Sequence, residues 1–337
     1  MRITICGGGN LGHVCAGFLS ARGDNRVSLL TTRPEQWSKC IDVFDCCGNV
    51  IHGILERISN KAEDVIPHAE MVLVCLPGFA IGNVLEYISP YLNPSCLVGT
   101  VVSSTGFFFE AFKYLPDNQP IFGFQRVPFI SRIIHYGRDA ELKGYKKSLC
   151  VAVENTSNKE TIRKKLETLF QMKVKLLNSH YEVSLSNSNP LLHTSRLYTL
   201  WYDWKPGISY SINPGFYSEW TIEASELYIA MDQEFQQLLR KLEVKEESIP
   251  SVLNYYESHD AQSLTNKIRS IPAFQGILSP MKLNEYNMYE PDFHSRYFTE
   301  DFPYGLKFAY DTAMKYNVQT PQIEKVYLWG IDKILNG

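Results

Sequence analysis

No cysteine follows Cys150 in this chain of 337 residues, and none of the eight forms a CxxC pair. They are Cys6, Cys15, Cys40, Cys46, Cys47, Cys75, Cys96 and Cys150. That spacing excludes a zinc ribbon or a disulfide scaffold, which need ligands or thiols at short regular intervals. The thiols are expected to be reduced, mostly small buried hydrophobes, in a cytoplasmic protein without a metal site. Charge of one sign is also lacking. Lys and Arg number 33 against 36 Asp and Glu, a formal net charge of −3, and the basic residues are scattered in short pairs such as Lys146-Lys147. Neither nucleic acid nor an anionic membrane is therefore expected as a partner. Long apolar runs are missing as well: the most apolar window, residues 71–81, is short and contains Pro77 and Gly78, so it cannot span a bilayer. Residues 1–6 read as a strand running into glycines, so no signal-peptide core is expected there.

What is present is an ordinary globular composition, 45% hydrophobic and 20% charged, long enough for two domains. In the first half, short apolar runs at 2–6, 26–31, 71–76, 96–102 and 120–124 alternate with helical stretches at 11–21 and 80–92. Runs at 147–153 and 174–177 flank a further helix at 159–170. Aliphatic strands with little alternation, separated by helices, imply a doubly wound, mostly parallel α/β sheet. After about residue 182 the period changes. Trp220, Ala224, Leu227, Met231, Phe235, Leu238 and Leu242 recur at steps of three and four, the stripe of a long amphipathic helix. Residues 299–316 predict another. The division expected is a Rossmann domain over 1–182 and an all-α domain over 183–337.

Gly7-Gly8-Gly9-Asn10-Leu11-Gly12 satisfies G-x-G-x-x-G directly after the first strand. Gly7 serves the tight turn, Gly9 lets the backbone approach a pyrophosphate, and Gly12 lets helix and strand pack closely. The helix that follows presents free N–H groups to phosphate. With Asn10, Leu11 and Pro77, these residues form the expected dinucleotide site. Thr32 lies 20 residues beyond Gly12, where NAD-binding proteins place a carboxylate on the ribose. With Thr32 there, Arg33 beside it and Lys39 nearby, a 2′-phosphate is the better fit, so NADP is expected, with NAD the alternative.

Two clusters stand out in the second half: Ser186-Asn187-Ser188-Asn189-Pro190-Leu191-Leu192-His193-Thr194, and Arg296 through Leu306, RYFTEDFPYGL. Asn189 is expected to cap a helix with Pro190 in its first turn. On these blocks, the N-terminal GGGN, and a looser match over Gln125, Arg126 and Arg132, the chain resembles the opine dehydrogenase (octopine/nopaline dehydrogenase) family. The resemblance implies a Rossmann domain followed by an all-α domain of the 6-phosphogluconate dehydrogenase C-terminal layout. It implies reductive condensation of an amino acid with an α-keto acid, with His193 and Asp301 as a catalytic dyad and Arg296 on a substrate carboxylate. Asn189, Gln125 and Arg126 complete the candidate substrate contacts. The residue types suit that chemistry. Imidazole titrates near neutrality, a carboxylate fixes its tautomer, and a guanidinium pairs with carboxylates in two-pronged fashion. The other seven histidines read as packing or surface groups. Alternatives are a ketopantoate reductase-like or other 2-hydroxy-acid dehydrogenase, and a non-catalytic NADP(H)-binding sensor. The sequence leaves open whether the chain forms a homodimer.

Overall fold

The computed structural model describes every residue from Met1 to Gly337. The chain divides into two compact units, Met1–Ser184 and Leu185–Gly337. The first unit is built on one eleven-stranded sheet. Its strands are β1 (Arg2–Cys6), β2 (Arg26–Leu30), β3 (Cys40–Asp45), β4 (Val50–Ser59), β5 (Met71–Val74), β6 (Leu97–Thr100), β7 (Ile121–Phe124), β8 (Phe129–His135), β9 (Asp139–Tyr145), β10 (Ser148–Glu154) and β11 (Lys173–Leu176). They lie in the order β11-β10-β7-β6-β5-β1-β2-β4-β3-β9-β8. The block from β7 to β4 is parallel throughout. From β1 the chain moves outward to β2 and β4, then returns to β5 on the other side. The strand order reverses between β1 and β5, where open α/β sheets bind ligands beyond the carboxyl ends of their strands. Every residue of β5, β6 and β7 is buried, as helices on both faces require. This is the doubly wound Rossmann arrangement.

Four strands were not legible in the sequence pattern. β3 and β4 form an antiparallel pair, β8 and β9 another, and β9 runs parallel to β3. In β4 buried and exposed positions are mixed, so polar residues such as His52, Glu56 and Arg57 interrupt its apolar ones. A search for continuous apolar runs passes over such half-solvated strands. All eight cysteines are free. Cys6, Cys15, Cys75 and Cys96 are buried, but Cys40, Cys46 and Cys47 are exposed, because β3 lies far from the centre of the sheet and its turn to β4 faces solvent.

The second unit is mainly helical, with Asn189–Trp201, Ile222–Lys241, Ala261–Ser270, Lys307–Lys315 and Pro321–Asn336 as its principal helices. A short antiparallel hairpin, β12 (Met281–Leu283) and β13 (Tyr289–Pro291), is its one sheet. Thr221 caps the long helix, its hydroxyl accepting from the Ala224 N–H at 3.2 Å. The predicted apolar stripe buries Ala224, Met231, Phe235 and Leu238. The expected continuous helix over 299–316 is broken instead. A short turn, Arg296–Thr299, leads into a widened turn at Phe302–Leu306 that is kinked at Tyr304. The Leu306 N–H reaches back to the Asp301 carbonyl at 2.7 Å. Pro303 has no N–H to donate, so the regular ladder cannot run through it. No helix of the chain is long and apolar enough to cross a membrane.

Candidate functional site

In the first unit, β1 delivers the glycine loop to the start of the helix Asn10–Ser20. Gly7 has φ +121°, and a β-carbon there would lie 2.5 Å from the Cys75 carbonyl oxygen. Only glycine fits this turn. A β-carbon on Gly12 would sit 2.0 Å from the Gly7 carbonyl oxygen, which is how closely the helix approaches the loop. Above Gly9 there is open space instead. The helix carries no side-chain cap and no acidic residue in its first turn, so its leading N–H groups stay available to an anion.

A cavity of about 470 Å³ opens at this loop, lined by Gly7, Gly8, Thr31, Thr32, Asn60 and Tyr87, among others. It spans the ends of β2 and β4 and the helix Gly78–Ile88, the place for the adenosine half of a dinucleotide in this topology. Thr32 is on its wall. Arg33, Lys39 and Pro77 are exposed and outside its lining. Of the loop residues, Leu11 packs on the core and the Asn10 side chain accepts the Ile133 N–H at 2.8 Å. Asn10 thus fastens the loop to β8 and does not face the cavity. Gln125, after β7, donates its amide to the Glu182 carbonyl at 3.0 Å, while Arg126 beside it is exposed.

The sequence offers no sign of two further supports. His13 is fully buried, with Nδ1 2.9 Å from the Gly9 carbonyl oxygen and Nε2 accepting the Gly137 N–H at 2.7 Å. Burial pushes its pKa down, so the neutral ring ties the glycine loop to the β8–β9 hairpin. From that hairpin Tyr136 reaches over Gly8 and joins the cavity wall.

In the second unit, the two blocks singled out in the sequence meet. His193 Nδ1 is 2.7 Å from Asp301 Oδ2, although the residues are 108 apart in the chain. A carboxylate only accepts, so Nδ1 carries the proton and Nε2 of the neutral ring accepts from a donor. That donor is the Tyr217 hydroxyl, at 2.8 Å. Both side chains of the pair are mostly buried, 11% and 17% exposed. The Tyr297 ring edge stands against the imidazole, with centroids 4.8 Å apart. Such a pair can hold a proton at a fixed tautomer and stabilise an imidazolium.

Tyr217 was missed because it lies in an irregular loop with neither period nor motif. Its phenol is shifted well upward, first by burial and then by the neighbouring Tyr297. Arg196, one turn beyond His193, holds that loop through the Phe216 and Glu219 carbonyls at 3.1 and 2.7 Å. Burial lowers the Arg196 pKa to about 10. Arg296 is not drawn into this cluster. Its exposed guanidinium makes a two-pronged pair with Glu300, both contacts at 2.9 Å. Asn189 is also exposed and is the first helical residue instead of the cap. Ser188 takes the cap position, and the Asn187 side chain accepts the Asn189 N–H at 3.3 Å.

Residues 176–333 match the family described as NAD/NADP octopine/nopaline dehydrogenase, alpha-helical domain. The chain is 26% identical to the opine dehydrogenase of Haliotis discus hannai, over 97% of this chain and 88% of the relative. Among solved structures, octopine dehydrogenase with NADH and L-arginine superposes with a TM-score of 0.86 at 24% identity, over 99% of this chain and 89% of the other. Yersinopine dehydrogenase with NADP⁺ does so at 0.70 and 12% identity, over 99% and 90%. The motif blocks, the Rossmann and helical units and the match of residues 176–333 to the family's alpha-helical domain together make this chain similar to the opine dehydrogenases.

Proposed function

We propose that the chain catalyses the NAD(P)H-dependent reductive condensation of an amino acid with an α-keto acid. The observation that carries this reading is the His193–Asp301 contact at 2.7 Å. In this reading the glycine loop holds the pyrophosphate. Gly9 leaves room for it, and the first-turn N–H groups of the helix Asn10–Ser20 bind its oxygens. When bound, the dinucleotide supplies the hydride for the substrate-derived imine. The chain's own groups manage protons. His193 takes or gives one at Nε2, while Asp301 holds Nδ1–H and offsets the charge of the imidazolium. Arg296 offers a substrate carboxylate the N–H groups that Glu300 leaves free, since a guanidinium carries five donors and Glu300 engages it on one edge. Within the nicotinamide dinucleotides we assign a preference for the 2′-phosphorylated form, because Thr32 stands on the cavity wall where a carboxylate would repel it.

The test is a screen of NADPH and NADH oxidation across amino acids with pyruvate, glyoxylate or 2-oxoglutarate. Oxidation that needs both an amine and a keto acid is expected. Oxidation with a keto acid alone would replace this reading with a 2-keto-acid reductase, and none with any pair would remove it.

A further inference from the structure

We propose that Tyr217 is a relay residue through which Nε2 of His193 exchanges its proton, with Tyr297 as the next link. The inference rests on the reading of His193 as the proton-holding group. His193 is buried, and its Nε2 is engaged by the Tyr217 hydroxyl at 2.8 Å. A proton that this nitrogen exchanges with the medium therefore passes through the phenol. Tyr217 is itself 4% exposed, and its phenol neighbours that of Tyr297, which is partly exposed. The path thus runs from a buried imidazole through a buried hydroxyl to a partly exposed tyrosine.

The transfer balances without a phenolate. As the imidazolium gives its Nε2 proton to the Tyr217 oxygen, Tyr217 releases its own hydroxyl proton to the Tyr297 oxygen. Tyr297 releases one in turn to solvent water. Each hydroxyl gains one proton and loses one. Burial keeps the Tyr217 phenol protonated, which favours such concerted passage over ionisation. The groups that face the imidazole are Asp301 at Nδ1, Tyr217 at Nε2, and Tyr297 at the ring edge. The charge of Asp301 is also felt at Arg296, after that of Glu300.

The loop that carries Tyr217 is built to hold it. The Arg196 guanidinium, on the same helix as His193, takes the carbonyls on either side of Tyr217, those of Phe216 and Glu219. On its outer face the Tyr217 ring stacks on Phe274, with centroids 4.0 Å apart and planes 16° apart. A buried charge is retained against its cost of desolvation, here on two backbone carbonyls that set the position of one hydroxyl.

The decisive variant is Tyr217→Phe, which keeps the ring and its stack. In the full-length chain labelled with ¹⁵N-histidine, exchange of the His193 ring protons with solvent is measured by NMR. Exchange at least 10-fold slower than in the parent is expected. In the oxidation assay kcat is expected to fall by roughly 10-fold or more at unchanged NADPH affinity, with a displaced pH profile. Tyr297→Phe should act in the same direction and serves as the second variant if Tyr217→Phe does not fold. Unchanged ring-proton exchange overturns the relay, as does slowed exchange with kcat and pH profile intact. Slowed exchange in a chain that oxidises NADPH with no substrate pair supports the relay and removes the proposed reaction, so the two failures are distinct.

Discussion

Gly305 lies so close to Pro190 that a β-carbon on it would sit 2.5 Å from the proline Cγ. Gly305 lies in the widened turn Phe302–Leu306, which Asp301 precedes, and Pro190 lies in the first turn of the helix that carries His193. The contact joins the two sequence blocks back to back, and the carboxylate meets the imidazole three residues along from the proline. Gly305→Ala should therefore cost about 1–3 kcal/mol of stability, the usual range for overpacking. It should also lower kcat by pushing Asp301 away from Nδ1. Thermal unfolding and steady-state kinetics check both, and an alanine variant with parental Tm and kcat would show that the contact is not a constraint.

His193→Ala is expected to lower kcat by about 10²–10⁴-fold, the range for a positioned proton-transfer group. Cofactor binding should survive, because the glycine loop belongs to the other unit. Asp301→Asn should keep the fold and also cut kcat, since an amide cannot stabilise the charged ring. The double variant should be little worse than the worse single one, because the pair works as a unit. Additive losses in the double variant would argue for two independent roles.

Cofactor preference is read by fluorescence titration with NADPH and NADH. NADPH should bind more tightly, and Arg33→Asp should reverse or erase the difference. Arg33 is exposed beside Thr32 rather than on the cavity wall, so it can reach a 2′-phosphate only from outside. Equal affinities in the parent chain would assign Arg33 to solvent.

His13 predicts acid lability of the cofactor site. Its pKa in the folded chain is pushed below the ordinary value of 6.5, first by burial. A depressed folded pKa means the neutral ring is the one the fold accepts. Its contribution is fully present above about pH 6.5 and is lost as pH falls through the folded value. Protonation would put a second N–H against the Gly137 amide, which already donates to Nε2. Tm and NADPH affinity should therefore fall together between about pH 6.5 and pH 5. His13→Gln supplies a donor and an acceptor without titrating and should flatten that slope. An identical slope in the two proteins would place the sensitivity elsewhere.

The glycine motif was readable because it depends on neighbours in sequence. A strand, a turn that only glycine can make, and a helix start follow one another within a dozen residues. The long helix from Ile222 was readable for a similar reason, since its buried stripe repeats along one segment. The helix expected over 299–316 is broken at Pro303, which has no N–H to donate. The turn around it is widened, and it closes with a bond from the Leu306 N–H to the Asp301 carbonyl. β3, β4, β8 and β9 escaped because strands away from the centre of the sheet are partly solvated and lose the continuous apolar signature.

By itself, then, the sequence determined the dinucleotide loop, the α/β-then-α layout and the two blocks bearing His193, Asp301 and Arg296, all written in local pattern. Only the tertiary structure decided which of these meet. It brought His193 to Asp301 across 108 residues and left Arg296 paired with Glu300 at the surface. It also set Tyr217 on Nε2 and buried His13 beneath the glycine loop. These contacts rest on packing between distant segments, where a missing β-carbon at Gly305 or a guanidinium holding two carbonyls sets the distance. Such packing leaves no period in the chain to be read.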